Sequence, residues 1–285
     1  MMHASIVRRL SSLVTVAVAL LVLLSCAGVL LGQQPAPQVA EEPTLGEILT
    51  RKYQFEAAGK EMEYTLYVPT GYRNDHPTPL VVALHGLASN PQQIIRYPGM
   101  TRLAEKYGYI VVAPMGYNSR SWYGSRGQTS RRSKPENLGE LSEKDVMNVL
   151  GIVRKQFNVD PNRIYLMGHS MGGGGTWHLG IKHPDLWAAL APIAPAIYRS
   201  PDELEGIKHV PVIVVQGAKD LLVKAEITRR WVAKMKELKM DYTYIEDPDG
   251  GHVFVAFENL PKIFEFFDKH TKKALRSTSP QSLPS

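Results

Sequence analysis

The sequence predicts an α/β fold: a mostly parallel central sheet with helices on both faces and an antiparallel hairpin ahead of it. Three observations lead there. Short apolar runs of strand length (Leu80 to Leu84, Tyr109 to Ala113, Arg163 to Met167, Val210 to Val215, Tyr242 to Ile245) alternate with stretches whose apolar residues recur at helical spacing. Parallel neighbours need crossovers, and at this rhythm the crossovers are helices that cover the sheet. Finally, one run ends in Gly168-His169-Ser170-Met171-Gly172, with Gly173 to Gly175 following. That is a strand-to-helix turn so tight that only small residues fit beside the serine.

The elements follow in chain order. Arg8 and Arg9 precede an apolar stretch from Leu13 to Leu31, and Gln33-Gln34-Pro35-Ala36-Pro37 opens a polar, proline-rich segment. Residues 1–32 therefore read as an export signal or membrane anchor and 33–52 as a linker, which puts the domain in the periplasm or outside the cell. Leu23-Leu24-Ser25-Cys26 resembles a lipoprotein signal, so three fates stay open: cleavage and release, lipid attachment at Cys26, or retention as a membrane tether. Tyr53 to Val68 alternates like a hairpin with Gly59-Lys60 at its turn. Ser142-Glu143-Lys144-Asp145 reads as a variant capping box, with Leu141 and Val146 as its staple, opening a helix that turns Val146, Val149, Leu150, Val153 and Phe157 inward. Ala225 to Lys239 reads as a second such helix with Ile227, Trp231, Met235 and Leu238 inward. Residues 53–275 then make one catalytic domain and 276–285 a disordered tail.

The chemistry is read at the strand ends. A serine hydroxyl is a poor nucleophile until a base takes its proton and a third group orients that base. Ser170 has both partners in the chain order Ser, Asp, His. Asp220 follows the run Val210 to Val215 in Gln216-Gly217-Ala218-Lys219-Asp220, and His252 closes the loop Glu246 to Gly251. Asp247 and Asp249, in the same loop as the histidine, are rival acids or turn formers. His85, His169, His178 and His183 read as structural groups or as neighbours of the turn. The oxyanion donors expected are the backbone N–H groups of Met171, after the nucleophile, and Leu87, after the run Leu80 to Leu84. A long segment from Met115 to Gly139 holds Trp122 and Tyr123, expected to bind substrate, beside Arg120, Arg126, Arg131, Arg132 and Lys134.

Together, Leu84-His85-Gly86, Gly168 to Gly173, Gln216-Gly217-x-x-Asp220 and Gly250-Gly251-His252 resemble the α/β-hydrolase superfamily. More narrowly the chain is similar to bacterial secreted esterases grouped with polyhydroxybutyrate depolymerases, feruloyl esterases and acetylxylan esterases, over about residues 53–271. The resemblance implies an α/β-hydrolase fold and an exported serine esterase that cleaves short acyl or feruloyl esters, some of them on carbohydrate, through an acyl-enzyme. It also marks a departure: the single cysteine, Cys26, lies in the N-terminal apolar segment, so the disulfides of many secreted relatives have no counterpart.

Alternatives on the same triad are a peptidase of prolyl-oligopeptidase type, for whose large N-terminal gating domain there is no room, and an acyltransferase. From another class, a noncatalytic surface-binding relative would be expected to have lost part of the triad. No His-Glu-x-x-His pair or dense ligand cluster occurs, so neither metal nor cofactor is expected. A net charge of +6 without a nucleic-acid motif suggests affinity for acidic surfaces at most, and the sequence leaves the oligomeric state open.

Overall fold

The computed structural model describes residues 44–272. The export segment, most of the expected linker and the expected tail lie outside the described residues.

Eight strands form one sheet in the order β1-β2-β4-β3-β5-β6-β7-β8. The hairpin strands β1 (Ile48–Phe55) and β2 (Lys60–Tyr67) are antiparallel, and β2 also runs antiparallel to β4 (Ile110–Pro114). From β4 onward every pairing is parallel: β3 (Thr78–Leu84), β5 (Val159–His169), β6 (Ala189–Ile193), β7 (Val212–Gly217) and β8 (Tyr242–Asp247). This is the α/β-hydrolase arrangement that the sequence led us to expect, with every strand end from β3 to β8 opening on one edge of the sheet.

Because side chains alternate across a strand, each strand feeds two cores. Leu80, Val82 and Leu84 meet Val146, Val149 and Val153 of α3 (Leu138–Gln156), Trp177 of α4 (Met171–Lys182), and Trp231 of α5 (Ala225–Glu237) on one face. Val81 and Ala83 point to the other face, where Ile94 of the short α1 (Pro91–Ile94), Leu103 of α2 (Met100–Tyr107), and Leu260, Ile263 and Phe264 of α6 (Phe254–Asp268) pack. Strands buried on both sides explain why these runs are continuously apolar rather than alternating.

Three expectations are corrected. The first strand begins at Ile48, inside the expected linker 33–52 and ahead of residue 53; Ile48 to Lys52 pair with Tyr67 to Glu63. Their half-exposed, charge-bearing pattern is that of an edge strand, which composition alone does not separate from a linker. The turn is also not Gly59-Lys60 alone, since a 3-10 turn at Glu56–Ala58 precedes Gly59, which sits at φ 59°. Second, α3 starts at Leu138, so Ser142 to Asp145 lie inside the helix rather than capping it. Ser142, Glu143 and Asp145 face inward and Lys144 outward: the Ser142 hydroxyl donates to the Gly116 carbonyl (2.6 Å) and accepts from the Tyr123 N–H (3.0 Å). The Asp145 carboxylate accepts from the Tyr53 hydroxyl (2.5 Å) and the Gly116 N–H (2.6 Å), and burial pushes its pKa above the usual carboxylate range. Third, Ile227 of α5 is only partly buried and turns toward a cavity; Thr228 is buried in its place beside Trp231 and Met235.

Candidate active site

Ser170 sits between β5 and α4 at φ 60°, ψ −114°, a strained conformation for a residue with a Cβ. The surroundings enforce it. A Cβ on Gly172 would run into the Leu84 carbonyl of β3, and one on Gly168 into the Gly172 carbonyl, so helix and strand approach as closely as two glycines permit. The Ser170 N–H is tied to Ile193 O at 2.9 Å and its carbonyl accepts from Ala196 and Gly174. Local hydrogen bonds therefore hold the residue with its side chain at the sheet edge.

Asp220 lies three residues beyond β7 and is almost fully buried. Its Oδ1 accepts from the N–H groups of Leu222 and Val223, each at 2.8 Å, while Oδ2 accepts from His252 Nδ1 at 2.6 Å and from Gln216 Nε2 at 3.3 Å. The Gln216 amide is itself fixed by Thr228, whose hydroxyl donates to it at 2.8 Å. A carboxylate so saturated can neither rotate nor leave, and the partner it presents to His252 puts the imidazole proton on Nδ1, leaving Nε2 as the acceptor. The rival acids point elsewhere: Asp249 pairs with Lys219 at the surface and Asp247 accepts from the Asp249 N–H within the loop. The loop before His252 is pinned to the loop of Asp220 by Lys219 N–H to Gly250 O (3.0 Å) and Ala218 N–H to Asp247 O (2.8 Å).

Ser170 and His252 line one cavity of about 850 Å³ together with Leu87, Trp122, His169, Tyr198, Lys224, Ile227 and others. Among the described residues no hydrogen bond joins Ser170 Oγ to His252 Nε2, a contact that in serine hydrolases often tightens only with substrate. Met171 is the first residue of α4, so its N–H has no acceptor within the helix. At the Leu87 turn the backbone bonds are made by its neighbours, Ala88 N–H to Ser119 O and Ser89 N–H to Gly86 O. The two expected oxyanion donors thus lie next to Ser170 and on the cavity wall. Leu87, Tyr198, Leu221, Leu222, Val253 and Phe254 are the exposed large hydrophobic residues of the described chain, and each is on the cavity wall or within two residues of Asp220 or His252.

The two aromatics expected to bind substrate part company. Trp122 lines the cavity, edge-on to Tyr198 with ring centroids 5.1 Å apart, and Arg126 lies over both rings. Tyr123 does not line it. That ring is fully buried beneath the loop, its hydroxyl donating to His85 O (3.3 Å) and its N–H held by Ser142. Both residues have positive φ, and the pair splits between cavity and core.

Beside this site, Glu143 on α3 is held by His178 (3.1 Å), Lys182 (2.7 Å) and His183 (3.3 Å). Arg199 donates to the other nitrogen of His178 at 2.7 Å. Burial penalises the Glu143 charge, and these donors more than offset it, holding its pKa well below the carboxylate range. The cluster ties Gln128, in the loop that carries Trp122, and Arg199, next to Tyr198 of the cavity wall, to the helices behind them. Sequence reasoning missed Tyr97, Tyr198, Lys224, Ile227 and Phe257 as cavity residues. They come from separate helices and loops, and nothing in their local patterns distinguishes them from packing residues.

The family model for esterases, described as "Putative esterase", matches residues 56–260. The chain is 26% identical over 183 residues to "Putative esterase NocK" of Nocardia uniformis subsp. tsuyamanensis, covering 64% of this chain and 52% of that protein. It is 27% identical to feruloyl esterase D of Neurospora crassa, covering 62% and 59%. The crystal structure of a thermostable esterase superposes with a TM-score of 0.60 at 25% identity, covering 79% of this chain and 63% of that one. The chain thus spans about half the length of the curated relatives it matches.

Proposed function

This chain belongs to the esterase family, and from that premise we propose that it is a carboxylic ester hydrolase, an exported serine esterase working through Ser170, His252 and Asp220. The observation that carries the reading is the 2.6 Å contact between the buried Asp220 carboxylate and His252 Nδ1 at the rim of a cavity that also contains the strained Ser170. In this reading Nε2 of His252 takes the proton as Ser170 Oγ attacks the acyl carbonyl. The N–H groups of Leu87 and Met171 hold the oxyanion, and the protonated imidazole then gives its proton to the leaving alcohol. Water, activated by the same base, releases the acid. Asp220 holds the imidazole and stabilises the imidazolium.

For substrate, the reading favours short acyl or feruloyl esters, including those on carbohydrate. Trp122 and Tyr198 put two aromatic side chains on the cavity wall where a sugar or phenolic group would bind, and feruloyl esterase D is among the relatives. The test is a panel of acetylated xylan, methyl ferulate, p-nitrophenyl acetate and a long-chain triglyceride, with wild type and Trp122→Ala side by side. Trp122→Ala is expected to raise KM for the aromatic or sugar ester by about 5- to 50-fold, roughly 1 to 2.3 kcal/mol, and to leave p-nitrophenyl acetate nearly unchanged. Equal loss on both substrates would make Trp122 a support of the fold, and preference for the triglyceride would overturn the substrate class. Export is tested by fractionating cells that express the full chain; activity confined to the cytoplasm would contradict it.

A further inference from the structure

His169, between Gly168 and Ser170 in the Gly168–Gly172 turn, the elbow of the site, is in direct contact with His252. Its Nε2 lies 2.8 Å from the backbone carbonyl of His252 and its Nδ1 lies 2.8 Å from the Tyr97 hydroxyl. A carbonyl oxygen only accepts, so Nε2 carries the proton and Nδ1 accepts from the tyrosine. The ring is therefore fixed at both nitrogens, in one tautomer. It is buried, and its ring lies tilted by 35° against the His252 ring with centroids 4.9 Å apart. Tyr97 is in turn held by Phe257 of α6, whose ring stands edge-on at 4.7 Å.

We infer that His169 is a positioning residue: it fixes the backbone of His252 relative to the adjacent Ser170, so that the distance across which the proton moves is set from both ends. Asp220 orients the imidazole about its own axis but leaves open where the loop carrying it lies along the sheet edge. The hydrogen bonds at Gly250 tie that loop to the loop of Asp220, not to the elbow. The His169 to His252 contact joins the elbow to the base directly. The ring must also be neutral, because a second positive charge 4.9 Å away would oppose the imidazolium that forms on His252 during acyl transfer. Burial, and then repulsion from His252, lower the His169 pKa to about 4. Tyr97 keeps its proton, its pKa raised by burial to about 12.

The inference rests on the triad reading above, and the test separates them. Kinetics on p-nitrophenyl acetate are measured for His169→Phe, His169→Gln, Tyr97→Phe and Asp220→Asn, with thermal unfolding to show that each variant is folded. Phenylalanine keeps a ring without hydrogen bonds, so kcat is expected to fall by about 10- to 100-fold with KM within about threefold, as for misplacement of a catalytic group by a fraction of an ångström to about 1 Å. Glutamine has an amide that can donate to the His252 carbonyl and an oxygen that can accept from Tyr97, and is expected to recover kcat to within about threefold of wild type. Tyr97→Phe removes the hydrogen bond at Nδ1 and so frees one end of the His169 ring, and is expected to cost about 3- to 10-fold in kcat. His169→Phe with wild-type kcat, or His169→Gln as impaired as His169→Phe, overturns the positioning role. Should His169→Phe not fold, unchanged kcat in Tyr97→Phe overturns it instead. If Asp220→Asn is fully active the triad reading fails, whatever His169 does; if only Asp220→Asn is impaired, the triad stands and the positioning role falls.

Discussion

At the scale of single residues, the site depends on saturation of hydrogen bonds more than on proximity. Asp220 has acceptors engaged by two backbone N–H groups, an amide and an imidazole, and this makes it rigid enough to select one tautomer of His252. Asp220→Asn keeps the shape but favours the wrong tautomer, and should lower kcat by about 10²- to 10⁴-fold. Asp247→Asn and Asp249→Asn, whose carboxylates serve their own loop, should cost less than about threefold. The reverse ranking in steady-state kinetics would move the acid into that loop. His169 supplies a prediction on pH. Its folded pKa, about 4, lies below that of a free imidazole, about 6.5, so between those values the unfolded chain binds more protons. Unfolding free energy from this residue is then fully retained above about pH 6.5 and is lost as pH falls toward 4, by about 1.4 kcal/mol for each unit of the shift. Comparing the melting temperature of wild type and His169→Gln from pH 4 to 7 isolates this contribution. The wild type should lose more stability on acidification, and superimposable curves would contradict it.

At the scale of elements, polar side chains within α3 and β1 hold the cavity wall. Ser142 and Asp145 reach across to Gly116 and the N–H of Tyr123, so the loop after β4 is tied to a helix that the sequence reads as beginning behind these residues. Ser142→Ala leaves the buried Tyr123 N–H and Gly116 carbonyl without this partner, and should lower stability by about 1 to 3 kcal/mol in denaturant titrations. A loss under 0.5 kcal/mol, on that same order-of-magnitude scale, would mean that the loop does not need the tether. These elements also show what a sequence makes legible. The strands β3, β4, β5 and β7 and the elbow are legible because burial on both faces and close packing at Gly168 and Gly172 leave marks in composition, and β8 is legible as a short apolar run although it is half exposed. Strand β6, equally buried, is not legible, because Ala189-Leu190-Ala191-Pro192-Ile193 has alanines and a proline where strand-forming residues would mark it. The start of α3 is not legible either, because a serine followed by acidic residues has the same local pattern whether it caps a helix or turns inward to hold a neighbouring loop. Trp122 and Tyr123 are adjacent and chemically alike, and only tertiary contacts separate them, Trp122 standing against Tyr198 on the cavity wall and Tyr123 buried against His85 and Ser142.

At the scale of the whole molecule, the fold gathers at one sheet edge the ends of β3, β5, β7 and β8, and with them Leu87, Ser170, Asp220 and His252. Their order along the chain was visible in the sequence; their convergence is a property of the parallel sheet. The hairpin completes that sheet from further upstream than residue 53. A chain beginning at Thr44 should therefore melt close to the full protein's domain transition, whereas one beginning at Tyr53 loses the pairs from Ile48 to Lys52 and should be less stable by roughly 1 to 5 kcal/mol. Equal melting temperatures would show the first half of β1 to be dispensable. The central claim is that Ser170 is the nucleophile, activated by this arrangement. It is tested most directly by reacting the protein with a fluorophosphonate and mapping the adduct by peptide mass spectrometry. A single phosphonylated site at Ser170, lost in Ser170→Ala together with a drop in kcat on the order of 10⁴ to 10⁶, is the predicted result. An adduct on another residue, or a Ser170→Ala variant retaining more than about a tenth of wild-type ester hydrolysis, would contradict it.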